Sequence, residues 1–139
     1  MTMENGTGAL REVTDATFHE EVLNSGLPVL VEFTADWCPP CRQMAPVLHA
    51  VAEEERDRLK VVQIDVDTSP RTTLSYAVRS APTFMVFRDG EPVRSMVGAR
   101  SKRRLLQELA EVQREDQSDS TGGATLPILP AAELRALAT

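Results

Sequence analysis

Three short apolar runs constrain this chain most: "PVLVEF" at residues 28–33, "KVVQIDV" at 60–66 and "TFMVF" at 83–87. Each is rich in β-branched residues and too brief for a helix, the pattern of a strand covered on both faces. Between the first two, Met44, Val47, Leu48 and Val51 recur at helical spacing. Two such strands joined by a helix form a right-handed parallel βαβ unit. After the third run, Asp89-Gly90 predicts a tight hairpin into "EPVRSMV". The expected fold is therefore α/β, with a central mixed sheet (a parallel βαβ unit plus an antiparallel hairpin) and helices on both faces.

Further helices are predicted around these strands. Residues 14–25 carry Phe18, Val22 and Leu23 on one face, with Thr14 as N-cap and Gly26 as stop. The helix after the first strand should reach about Asp57 and kink at Pro46, which lacks an N–H. "SPRTTLSYAV" reads as a short helix capped by Ser69, with Pro70 at its first position. From Ser101 to about Arg114, Leu105, Leu106, Leu109 and Val112 mark a closing amphipathic helix. The expected organisation is a flexible segment over 1–9, one domain over 10–114, and a linker with a C-terminal extension over 115–139. That extension begins with the polar stretch "EDQSDSTGGAT". It reads as disordered, the alternatives being a peptide that engages a partner or folds back over an apolar groove.

A chain of 139 residues with 42% hydrophobic and 26% charged residues can bury one ordinary core. Its formal charge of −6 argues against nucleic acid as a partner. No apolar stretch approaches the roughly 20 residues needed to span a bilayer. The opening "MTMENGTGALREV" has no basic segment followed by an apolar run. The expectation is a cytoplasmic protein, where a cysteine pair is kept reduced and a structural disulfide is disfavoured.

Both cysteines lie in "FTADWCPPCRQMAP", residues 33–46, after a strand and at the start of a helix. A zinc site needs about four ligands, and Cys38 and Cys41 supply two. The histidines, His19 and His49, have no ligand-like neighbours and read as surface residues. A structural bridge closing so short a loop would restrict the unfolded chain little. A redox dithiol explains the spacing. The first sulfur sits at a helix N-terminus, near unpaired N–H groups and the positive end of the dipole, which favours the nucleophilic thiolate. The second, one turn in and more covered, is close enough to resolve a mixed disulfide. Cys38 attacks and Cys41 resolves.

The segments "VLVEFTADWCPPCRQMAP", "IDVDTSP", "SAPTFMVFRDGEPV" and "VGA", in this order over residues 10–112, resemble the thioredoxin family. The resemblance implies a protein-disulfide reductase with no bound cofactor, because the cysteine pair is itself the redox group. It implies protein disulfides as substrates, an NADPH-dependent flavoprotein thioredoxin reductase as recycling partner, and a monomer. It makes Pro82 a cis-proline beside the dithiol, with the Ala81 backbone pairing to an extended substrate segment. Trp37, Pro39, Pro40, Val66, Ala81, Pro82, Val97, Gly98 and Ala99 would rim the docking surface, and the Trp37 indole would reach Asp67. Glu32 stands where the family carries a buried carboxyl, usually aspartate, that exchanges a proton with Cys41. Burial would raise its pKa towards neutrality. A solvent-facing edge residue is the plainer reading of Glu32.

The chain departs from the family's usual pattern in several places. Pro39 replaces the common glycine and removes one possible donor to the Cys38 sulfur. Gln63 stands in place of a frequent lysine, and Thr34 in place of a frequent tryptophan. The basic run "RSKRR" at 100–104 reads as a solvated face, with docking to an acidic partner as the alternative. Two other roles are compatible with the sequence: a redox donor dedicated to one enzyme, or a binding module recognised through its surface or tail without redox exchange.

Overall fold

A computed structural model describes residues 9–125, and side chains through residue 114. In chain order the strands are β1 (Leu10–Val13), β2 (Val29–Thr34), β3 (Lys60–Asp65), β4 (Thr83–Arg88) and β5 (Glu91–Val97). The helices are α1 (Pro39–Glu54), α2 (Pro70–Ser75) and α3 (Lys102–Thr125), with a π-helical turn at His19–Leu23. The sheet order is β1-β3-β2-β4-β5. β3 runs parallel to both β1 and β2, and β4 runs antiparallel to both β2 and β5. The mixed α/β sheet expected from the apolar runs is thus present.

β1 is the strand that the apolar pattern does not announce. It has four residues with two charged ones in the middle, and only Leu10 and Val13 are buried. Its pairing with β3 along one side leaves Arg11 and Glu12 to solvent, as an edge strand should.

Alternation along β2 divides the core. Val29, Val31 and Phe33 point to one face, where they join Phe18 and Val22 of the turn region, Met85 and Phe87 of β4, and Val62 and Ile64 of β3. There Phe18, Tyr76 and Phe87 form a triangle with ring centroids 5.1–5.7 Å apart, two of its contacts edge-on. Leu30 and Glu32 point the other way. On that side α1, whose Met44, Leu48, Val51 and Ala52 are buried, contacts β1 and β3.

Several local expectations change on folding. The predicted helix at 14–25 becomes a capped turn followed by the π turn: the Ala16 N–H bonds Thr14 Oγ1 at 3.2 Å, and the Asn24 N–H bonds the His19 carbonyl five residues back. α1 ends at Glu54, short of Asp57; Pro46 lies inside it and leaves the Arg42 carbonyl without its helical donor. Ser69 does not cap α2 with its side chain. The cap comes from Asp15, whose carboxylate accepts the N–H groups of Arg71 (3.0 Å) and Thr72 (2.8 Å), while Ser69 Oγ accepts the Asp15 N–H at 3.3 Å. The hairpin forms as expected, with Asp89 and Gly90 at φ +54° and +81°, the pair of positive angles a type I′ turn requires.

The chain divides into two compact units after Arg104. α3 places most of its length in the second, where Leu105, Leu109 and Val112 are buried at helical spacing and Leu106 is half-buried. Its backbone stays helical to Thr125, through the polar stretch that composition assigned to a linker. The remainder of the C-terminal extension lies outside the described residues.

Candidate active site

All the elements of the site meet at one edge of the sheet. Cys38 follows the carboxyl end of β2, Val66 that of β3 and Gly98 that of β5; the antiparallel β4 begins there with Thr83, just after Pro82. Crevices at the carboxyl ends of parallel strands are where α/β sheets bind ligands. A larger cleft of about 480 Å³ opens at the opposite edge, lined by Arg11, Leu27, Arg56 and Lys60. Its three cations are already paired, with Glu21 or Glu53, and it is remote from the cysteines.

Cys38 and Cys41 form a disulfide, with Cα atoms 5.3 Å apart. Cys38 is the N-cap of α1, in the extended conformation (φ −106°, ψ +103°) that a residue before proline favours. Pro39 and Pro40 occupy the first two helical positions without N–H groups, so Cys41 supplies the first free N–H of the helix. That N–H points at Cys38 Sγ, 3.2 Å away. Two prolines thus concentrate the electropositive helix start on one donor aimed at the first sulfur, which favours its thiolate. In this disulfide form the two cysteines are about equally covered, at 2% and 4% exposure. The spacing predicts the second to be the more covered, and in the disulfide it is not. Val66 and Ala81 pack against the pair, and Cys38 Sγ lies 3.4 Å from the Ala81 carbonyl oxygen.

Around the disulfide, the Ala81–Pro82 peptide is cis. Thr83 Oγ1 donates to the Ser80 carbonyl (2.7 Å) and the Gly98 N–H donates to the Pro82 carbonyl (2.9 Å), tying the two rim loops together. Trp37 is 64% exposed, and its Nε1–H donates to Asp67 Oδ2 at 2.7 Å. Pro39, Pro40, Val97 and Ala99 are exposed; Val66, Ala81 and Gly98 are half-buried and Pro82 is buried. A shallow cavity of about 100 Å³ joins Trp37, Val66 and Ala81 to Thr73, Val78, Arg79 and Ser80. Sequence reasoning passed over these last four; for Val78, Arg79 and Ser80 the position just before "APT" was the signal available, and Thr73, on α2, had none. It also passed over Leu74, which is 81% exposed on α2.

Glu32 is fully buried, so the solvent-facing reading is wrong. It pairs with Gln63 of β3 and Phe84 of β4, and its side chain shares the sheet face that α1 covers. Gln63 Nε2 donates to Oε1 at 2.8 Å. Burial pushes the carboxyl up to about 7, only partly opposed by the Gln63 hydrogen bond. Gln63 and Cys41 line one cleft of about 250 Å³, together with Thr34, Arg42 and Asp65. A carboxyl titrating near neutrality therefore stands one hydrogen bond from a cleft that reaches the second cysteine. His19 and His49 are exposed.

The thioredoxin family model matches residues 9–111. Thioredoxin of Mycobacterium tuberculosis (strain ATCC 25618 / H37Rv) is 50% identical over 101 residues, 73% of this chain and 87% of that protein. Thioredoxin 1 of Synechococcus elongatus is 50% identical over 93 residues, 67% of this chain and 87% of the relative. A bifunctional thioredoxin reductase/thioredoxin of Mycobacterium leprae is 46% identical over 112 residues, and the match spans 81% of this chain but only 24% of that protein.

Proposed function

The chain belongs to the thioredoxin family, and from that premise we propose how its residues divide the work of a disulfide reductase. It is a thiol–disulfide oxidoreductase that reduces protein disulfides. In the proposed cycle the Cys38 thiolate attacks one sulfur of a substrate disulfide, whose S–S bond breaks and whose other sulfur leaves as a thiolate and takes up a proton. Cys41 then gives its proton to the Glu32 carboxylate, and its thiolate attacks Cys38 Sγ; the mixed Cys38–substrate S–S bond breaks, and the second substrate sulfur leaves as a thiolate that takes up a proton. The substrate leaves with two thiols and two electrons, and the chain is left as the disulfide present in the structure. The single observation that carries the assignment of roles is the Cys41 N–H aimed at Cys38 Sγ, which makes Cys38 the better thiolate.

Pro82 and Ala81 shape the loop against which an extended substrate segment pairs, with Trp37, Pro39, Pro40, Val66, Val97, Gly98 and Ala99 as its rim. A thioredoxin reductase, an NADPH-dependent flavoprotein, returns the dithiol. The protein acts as a cytoplasmic monomer, with no nucleic-acid or membrane partner. Among the described residues no helix is long and apolar enough to cross a membrane. The redox work belongs to residues 10–114, and 115–139 form an extension outside it.

Cys38→Ser and Cys41→Ser variants test the assignment. With a protein disulfide such as insulin, Cys41→Ser should accumulate a mixed disulfide at Cys38, detectable by mass spectrometry. Cys38→Ser should form none, and both should lose turnover. Turnover by Cys38→Ser, or a trapped adduct at Cys41, would overturn the roles.

A further inference from the structure

Arg100 opens the basic run that the sequence reads as a solvated face, yet its side chain turns inward. Its guanidinium donates through Nη2 to the Val97 carbonyl (2.7 Å) and through Nε to the Gly98 carbonyl (3.0 Å). The same group lies over the Phe84 ring, 5.8 Å from its centroid, and the Arg100 backbone N–H meets Met44 Sδ at 3.4 Å. These contacts reach three parts of the site. Met44 is one turn beyond Cys41 on α1; Phe84 is two residues beyond Pro82 on β4; Val97 and Gly98 belong to the exposed rim.

The loop so held has little of its own to fix it. Gly98 has φ +100° and no side chain, and Val97 and Ala99 are exposed. Val97 closes the β4–β5 ladder opposite Thr83, the Gly98 N–H donates to the Pro82 carbonyl, and Ala81, next to Pro82, lies against Cys38 Sγ. A planar guanidinium with fixed donors can bridge two successive carbonyls; a lysine ammonium cannot hold that geometry. Resting on the reductase reading above, we propose that Arg100 is a positioning residue for protein substrates: it clamps the Val97–Gly98 carbonyls and so sets the docking rim against the Pro82 loop. It touches neither sulfur. Its effect falls on how an extended polypeptide is held, not on thiol chemistry.

The test compares wild type, Arg100→Ala and Arg100→Lys with two disulfides, insulin and the small aromatic disulfide DTNB. Loss of substrate positioning should raise KM for insulin by about tenfold in Arg100→Ala with kcat little changed. Rates with DTNB, which needs no docking rim, should stay at the wild-type value. Arg100→Lys, which keeps the cation and the stem but not the fork, should give an intermediate KM. An unchanged insulin KM in both variants overturns the proposal. So does a parallel fall in insulin and DTNB rates for Arg100→Lys, because that is the signature of general damage. If wild type itself fails to reduce insulin, the reductase reading fails, an outcome separable from the behaviour of the variants.

Discussion

Gln63 Nε2 donates a 2.8 Å hydrogen bond to Glu32 Oε1, while Glu32 Oε2 is buried without a hydrogen-bond partner among the described residues. A neutral amide satisfies one oxygen but supplies no charge to offset burial. The carboxyl therefore holds its proton up to about pH 7 instead of releasing it near 4.5.

Stability should follow that proton. Because the folded-state pKa is raised, the contribution is fully present below pH 4.5 and is lost as pH rises through about 7. The difference between the two values corresponds to roughly 3 kcal/mol. Urea melts of the oxidised protein should show this decline between about pH 4.5 and 7, with a plateau above, and Glu32→Gln should flatten it. Parallel pH curves for the two proteins would mean that Glu32 is not the group responsible.

The same substitution should slow catalysis. General acid–base groups contribute about 10²–10⁴-fold, so Glu32→Gln should lower insulin turnover near pH 7 by about 10²-fold and remove the inflection there. An inflection retained near pH 7 would assign proton transfer to another group.

Gln63→Lys should act in the opposite sense to burial. An ammonium beside the carboxylate favours the charged form and lowers its pKa by about one pH unit or more. The pH at which stability declines should move down accordingly, read from the same melts. No movement would show that the lysine turns away to the cleft.

The aromatic triangle of Phe18, Tyr76 and Phe87 packs in the core of the opposite face. Phe87 is 1% exposed and meets both Phe18 and Tyr76 edge-on. Phe87→Ala should cost about 3–5 kcal/mol in denaturant unfolding, with the midpoint falling and the disulfide unaffected. A loss below about 1 kcal/mol would mean that the cavity collapses freely.

Asp15 should matter despite its distance from the chemistry. Partial desolvation pushes its pKa up, but the Thr72 and Arg71 N–H groups, the Thr72 hydroxyl and the Arg71 charge outweigh it and hold the pKa below the usual value. Its contribution is thus present above the ordinary carboxylate range and lost as pH falls. Asp15→Ala should lower the urea midpoint at pH 7 without changing the slope, and the deficit should shrink in acid.

How far the sequence reaches can be judged from particular residues. β2, β3 and β4 were legible because a strand covered on both faces needs an unbroken apolar run, and the chain has three. The hairpin was legible because Asp-Gly tolerates two positive φ angles. Cys38 and Cys41 were legible because their spacing at a strand-to-helix junction has few other uses. β1 was not, because an edge strand of four residues needs no apolar pattern. Nor was the cap of α2: Ser69 has the right residue type and place, but Asp15, more than 50 residues earlier, occupies the N–H groups.

By itself, then, the sequence determined the strands other than β1, their connection and the reacting sulfurs, because these depend on local residue type and short-range spacing. Tertiary structure alone decided that Glu32 is buried beside a neutral amide, that Cys38 is as covered as Cys41 in the disulfide, and that Arg100 turns inward to the rim. Each of those depends on which groups the sheet and α1 bring within hydrogen-bond reach. That proximity comes from pairing distant segments, and no local pattern encodes it.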